Sequence, residues 1–100
     1  MLIRIVRMYF QADKVQEFLE IFENAKKTIR SFEGCRYLEL WQDIHSPNVF
    51  CSYSHWESEE HLEKYRHSEF FRNTWSKMKI LFEKKPYAFS VKVHQVVSED

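Results

Sequence analysis

The sequence predicts an α+β fold of the ferredoxin-like order β-α-β-β-α-β with an antiparallel sheet. Three observations predict it. Strand-like runs of β-branched and aromatic residues recur along the chain, a long amphipathic stretch separates the first two of them, and a split helical region precedes the last.

Leu2 to Phe10 is a compact apolar run broken by Arg4 and Arg7, with the length and residue types of a strand. Asp13, followed three residues later by Gln16, is a candidate capping box for the first helix. Val15, Phe18, Leu19, Phe22, Ala25 and Ile29 then form one apolar stripe at helical spacing, with Glu23 and Lys27 as an i,i+4 ion pair on the wet side. Gly34, the single glycine, is expected to take the left-handed conformation that ends the helix.

Cys35 to Gln42 alternates Tyr37 and Trp41 on one side with Leu38 and Leu40 on the other. The turn residues Asp43, Ser46, Pro47 and Asn48 make the next run, Val49 to Trp56, its hairpin partner. Both faces of that run are apolar or small, which predicts a sheet covered on each side. Ser58 is expected to cap a short helix and Ser68 a second one, running from Glu69 to about Lys84 with Phe71, Trp75, Met78, Leu81 and Phe82 inward and Pro86 as its stop. Tyr87 to Val97 reads as the final strand, so residues 1–97 form one domain and residues 98–100 a frayed tail.

The chain has 100 residues, enough for one core, and a domain of that size hides only roughly two-thirds of its unfolded surface. With nine Phe, five Tyr and three Trp it has more apolar face than a lone subunit covers easily. In a ferredoxin-like subunit the helices lie on one sheet face, so the bare face is expected to pair with a second copy as a homodimer.

Acidic and basic residues balance at fifteen each, with no basic stripe to track a phosphate backbone, so nucleic acid is not an expected partner. No apolar run approaches the roughly 20 residues that cross a bilayer, and Arg4 and Arg7 interrupt the N-terminal apolar stretch, so a cytoplasmic location without membrane contact is expected. Cys35 and Cys51 lack CxxC spacing and read as reduced, small core residues. His45, His55, His61, His67 and His94 form neither an HExxH pattern nor a zinc-spaced cluster, so no metal site is expected. His45, His61 and His67 are expected to face water, whereas His55 and His94 fall in strands.

The stretch Phe32-Glu33-Gly34-Cys35, with Tyr37, Leu40, Gln42-Asp43, Pro47-Asn48 and Phe50, resembles the second-strand and hairpin signature of the antibiotic biosynthesis monooxygenase (ABM) superfamily. Sharper still is Trp56-Glu57-Ser58-Glu59-Glu60, then Leu62 and Ser68-Glu69-Phe70-Phe71. The resemblance implies a dimeric α/β barrel in which each subunit keeps a ligand pocket between sheet and helices. Some members oxidise polycyclic phenols with oxygen and no metal or flavin. Others cleave haem or transform small metabolites, so the reaction has to be argued from the site.

The haem-cleaving branch carries an asparagine on the first strand and an iron-ligating histidine on the last helix. Here the matching helix position is Trp75, which has no free nitrogen lone pair for iron, and Leu2 to Phe10 contains no asparagine. Many members also have histidine where this chain has Tyr65, a poor base at neutral pH.

The pocket candidates are Trp56, Ser54, Ser52, Tyr65, Phe71, Trp75 and Arg7; no catalytic residue is assigned. Trp56 reads either as a core ring or as a substrate wall, and Ser52 and Ser54 share its strand face as ligand donors or as solvated hydroxyls. Tyr65, Phe71 and Trp75 at helical spacing read as packed core or as the roof of a site. Arg7, a charge within a strand, is either an edge residue, a partner to an acid, or an anchor for an anionic or phenolic substrate. The expected function is a cofactor-independent monooxygenase acting on an aromatic or polycyclic small molecule. Its rivals are a non-enzymatic dimeric binding or stress-response module for a small apolar ligand, and a barrel whose cavity is filled by its own side chains.

Overall fold

Alternation along the first strand decides how everything else is arranged. In the computed structural model, which describes residues 1–99, β1 (Leu2–Phe10) lies between β3 (Val49–Trp56) and β4 (Phe82–Val91), and β2 (Cys35–Gln42) pairs on the far side of β3. The sheet order is β2-β3-β1-β4 and each pairing is antiparallel. Opposed residues share a face. One row therefore reads Leu38-Ser54-Arg4-Ser90 and the next Leu40-Ser52-Val6-Ala88, while the other face carries Tyr37-His55-Ile3-Val91, Glu39-Tyr53-Ile5-Phe89 and Trp41-Cys51-Arg7-Tyr87.

The first of these faces is covered by α1 (Val15–Ser31), α2 (Glu59–Arg66) and α3 (Glu69–Lys79). No helix among the described residues is long and apolar enough to cross a membrane. The main core gathers Met8, Phe10, Phe18, Phe50, Met78 and Leu81, with Phe10 stacked on Phe18 at 4.1 Å between ring centroids. Burying a ring of this size contributes about 1.5–3 kcal/mol. Cys35, Trp56 and Leu62 form a smaller cluster at the other end of the sheet.

Both predicted serine caps form. Ser58 Oγ accepts the His61 backbone N–H at 3.2 Å, and Ser68 Oγ accepts that of Phe71 at 3.1 Å. Gly34 has φ +88°, the left-handed value expected of it, and the His61 ring packs directly over its Cα. His61 is therefore half-buried, with Nδ1 2.7 Å from Ser58 Oγ, rather than facing water.

Other expectations are corrected. Asp13 caps nothing: it lies in a 3-10 turn (Ala12–Lys14) that leads into α1, whose N-cap is Lys14 with no side-chain cap bond. Glu23 pairs with Lys26 at 2.7 Å, one residue short of the expected Lys27.

The largest difference is at the last helix, which stops at Lys79 instead of Lys84. Gln11 competes for the chain there: its backbone N–H donates to Leu81 O at 2.9 Å, and its side-chain amide donates to Ile80 O and Phe82 O, both at 3.3 Å. Phe82 still reaches the core, 5.2 Å from the Phe10 ring, but as a strand residue. Pro86 consequently sits within β4, where Arg7 pairs with Tyr87 and Tyr9 with Lys84. That two-for-one mismatch is a β-bulge on an edge strand, a place where a residue lacking N–H is tolerated. β4 ends at Val91, so Lys92 to Val97, His94 included, lies outside the sheet. Of the expected tail, Ser98 and Glu99 are exposed and Asp100 lies outside the described residues.

Candidate functional site

A cavity of about 240 Å³ opens between the sheet and the three helices. Arg4, Val6, Ser52, Ser54 and Trp56 line it from the sheet, all on the helix-covered face. From the helices come Tyr65, Arg66, Phe71, Thr74 and Trp75. Six of the seven residues singled out in the sequence thus meet in one space, and one does not.

Rings form its wall in an unbroken series. Trp56 stacks on Tyr65 at 5.0 Å, Tyr65 meets Phe71 edge-on at 5.1 Å, and Phe71 stacks on Trp75 at 5.7 Å with planes 9° apart. Trp75 in turn abuts Phe82 on β4 at 5.5 Å. The two indoles pair with Tyr65 and Phe71 and not with each other, which leaves the space between them open. Trp56 is both things the sequence allowed, a core ring only 1% exposed and a wall of the cavity.

The polar groups are few. Ser54 is buried and its hydroxyl accepts the Trp56 indole N–H at 3.0 Å, which leaves its own proton for a ligand or a neighbouring acceptor. Ser52 lies two residues on along the same face, half-buried. Burial, with a smaller contribution from nearby Cys35, pushes the Tyr65 phenol far above its ordinary value of about 10. Among the described residues no group hydrogen-bonds to its hydroxyl. Tyr65 therefore stays protonated, suited to donating a hydrogen bond and unsuited to removing a proton.

Arg7 is the residue that does not belong. It lies on the opposite sheet face, where its guanidinium bonds Asp43 Oδ2 at 3.2 Å, Tyr9 Oη at 3.0 Å and Cys51 Sγ at 3.8 Å. The backbone N–H groups of His45 and Ser46, together with Arg7, hold the Asp43 carboxyl below the usual range. The arginine that β1 sends into the cavity is Arg4. A strand alternates faces at every residue, so the odd offset of three between them sends the two side chains opposite ways. Arg4 shares the parity of Val6 and Met8, and that was the available signal. Arg66 and Thr74 also line the cavity without a sequence signal of their own; they lie four and three residues, about one helical turn, after the wall residues Leu62 and Phe71.

Burial lowers the Arg4 pKa, and the like charge of Arg66 lowers it further, with Glu63 opposing. No histidine lines the cavity, and among the described residues no group of three or more His, Cys, Asp or Glu side chains is placed to hold a metal ion. Cys35 and Cys51 are both free thiols; Cys35 is buried in the smaller core, whereas Cys51 is half-buried on the outer face. On that face His55 Nε2 lies 3.0 Å from Tyr53 Oη.

Solved structures share the architecture. A conserved protein from Methanosarcina mazei Go1 matches with TM-score 0.86 at 20% identity over 92% of each chain. An antibiotic biosynthesis monooxygenase matches with TM-score 0.89 at 15% identity over 95% of this chain and 100% of the other. Rv0793 from Mycobacterium tuberculosis matches with TM-score 0.86 at 15% identity over 97% and 98%. At these identities the likeness concerns the fold. A comparison with curated proteins gives no match. The family profile described as antibiotic biosynthesis monooxygenase matches residues 1–76, more than half of the sequence, and the chain belongs to that family.

Proposed function

We propose that the protein is a homodimeric, cytoplasmic, cofactor-independent monooxygenase that oxidises a compact aromatic phenol, hydroquinone or anthrone in the cavity between sheet and helices. The observation that carries this is the wall itself: stacked rings, with every polar side chain on it (Arg4, Ser52, Ser54, Tyr65, Arg66 and Thr74) able to donate a hydrogen bond. Donors aimed at a ring oxygen stabilise the phenolate, and the aromatic wall excludes water from it.

In the proposed reaction the substrate anion passes one electron to oxygen, and the resulting pair combines to a hydroperoxide. Loss of water then leaves a carbonyl where a methylene or C–H/O–H pair stood. One oxygen atom enters the product and the other leaves as water, and all the electrons come from the substrate. The cavity is smaller than the roughly 300–1,000 Å³ usual for drug-sized ligands, which favours few fused rings over an extended polycycle.

The homodimer part of the proposal rests on the face opposite the helices. Tyr37, Trp41, Tyr53, Tyr87 and Phe89 lie there with Ile3 and Ile5, and Tyr37, Trp41 and Tyr87 are among the exposed large side chains. A second copy laid sheet to sheet buries both sets.

Oxygen uptake with a panel of hydroquinones and anthrones, without added flavin or metal, tests the reaction. One oxygen consumed per anthrone converted is the expected result, and a flat trace across the panel contradicts it. A second reading, a binding or stress-response module without catalysis, is favoured by one observation: among the described residues the wall holds neither imidazole nor carboxylate, and Tyr65 is held protonated. Tryptophan quenching by the same panel without oxygen uptake selects that reading.

A further inference from the structure

We propose that the ligand of this cavity carries an anionic oxygen on its ring system, a carboxylate or a phenolate, bound by Arg4 with Arg66 at its side. The inference rests on the reading of the cavity as a ligand site and names the chemistry it selects.

The chain as a whole is neutral, fifteen basic residues against fifteen acidic ones, yet among the described residues the cavity wall holds Arg4 and Arg66 and no carboxylate. Positive charge is concentrated where the rings converge. Arg66 has a partner, Glu63 Oε1 at 2.8 Å, on the exposed side of α2. Among the described residues Arg4 makes no ion pair of its own; Glu63, bonded to Arg66, acts on it only at longer range. The hydrogen bond of Arg4 goes to the neutral Ser90 Oγ at 3.2 Å, and its neighbours across the strand pairings are Ser54 and Ser90.

The contrast lies three residues along the same strand. Arg7, on the outer face, has Asp43 within 3.2 Å. A half-buried guanidinium loses hydration, and that loss is recovered when an ion pair with good hydrogen bonds replaces the water. The fold provides such a pair for Arg7, whereas among the described residues the one side-chain hydrogen bond of Arg4 goes to the Ser90 hydroxyl. A guanidinium presents five N–H donors in a planar fork that matches a carboxylate two bonds at a time. With one donor on Ser90, the remainder of the fork is available to a ligand lying along Trp56 and Tyr65.

Three probes of one ring system separate the outcomes: 1-naphthoate, 1-naphthol and the neutral 1-naphthalenemethanol, each titrated by tryptophan quenching at low salt. The expected result is 1-naphthoate binding at least about tenfold more tightly than 1-naphthalenemethanol, the size of a charge-assisted hydrogen bond. Arg4→Met removes that preference while 1-naphthalenemethanol binds as before, and Arg4→Lys restores part of it. Unchanged binding of the neutral probe also shows that the variant is folded. If 1-naphthoate shows no advantage but 1-naphthol tightens as pH rises through its own pKa, the phenolate is the form selected. If 1-naphthalenemethanol binds as well as either anion in the wild type, the anion inference is overturned and the cavity reading survives. If no probe quenches, both fall.

Discussion

The Trp56 indole N–H donates to the Ser54 hydroxyl at 3.0 Å, two residues back along the same strand face. Trp56 is buried, so the bond satisfies a donor that water does not reach, and it fixes the ring that forms the cavity's inner wall. Ser54→Ala leaves the indole unpaired. The expected cost is about 1–3 kcal/mol, which in a domain of this size lowers Tm by several degrees. Thermal unfolding followed by circular dichroism checks it, and an unchanged Tm contradicts the assigned bond.

Gly34 is held by two constraints at once, its φ of +88° and the His61 ring against its Cα. Gly34→Ala is expected to destabilise by more than about 1 kcal/mol through both. Adding His61→Ala removes the collision and leaves the backbone strain, so the double variant is more stable than additivity predicts. Urea unfolding of the four proteins of the cycle measures this coupling. Strict additivity shows that the ring is not what excludes a side chain.

Tyr65 sets an alkaline signature. Its folded-state pKa is raised by burial above the unfolded value of about 10. Above that pH the unfolded chain has lost the proton and the folded one keeps it, so the unfolded state binds fewer protons and stability falls as pH rises. The stabilisation is whole below the unfolded value and is lost as pH climbs from there toward the folded one. Tyr65→Phe is expected to flatten this alkaline decline without weakening the protein at neutral pH, since the hydroxyl has no partner among the described residues. Urea midpoints measured at neutral pH and above pH 10 report it, and identical alkaline slopes for the two proteins contradict it.

Tyr53 lies in a central strand on the face away from the helices, stacked on Trp41 at 4.4 Å. Placing a charge there, as in Tyr53→Lys, is expected to separate the proposed dimer into protomers while the far-UV spectrum keeps its helical signal. Sedimentation velocity reads the outcome. A wild-type chain that stays monomeric and folded at low micromolar concentration contradicts sheet-to-sheet pairing.

Much of this arrangement is legible in the residues because local signals and burial agree. Leu2–Phe10, Cys35–Gln42 and Val49–Trp56 have the predicted bounds, for the turn chemistry of Gly34 and Asp43 to Asn48 marks their ends. The spacing of Phe71, Trp75, Met78 and Phe82 continues a helical pattern past Lys79, and nothing local says that Gln11, some seventy residues earlier, holds the turn at Ile80 to Phe82. Pro86 has the local look of a helix stop, whereas the strand register against β1 makes it part of a bulge. On the sheet, the family motif points to Trp56, and strand parity adds Ser52 and Ser54 on the same face. The same parity separates Arg4 from Arg7, and the register against β3 and β4 puts Arg4 on the helix-covered face and Arg7 on the other.

The three tryptophans provide the most direct measurement. Trp56 and Trp75 line the cavity, and Trp41 lies on the opposite face of the sheet. In a ¹⁵N-correlated spectrum their indole N–H signals report the two faces separately. Titration with 1-naphthoate is predicted to shift Trp56 and Trp75 and to leave Trp41 in place. Movement of Trp41 alone, or of none of the three, contradicts a ligand site between sheet and helices.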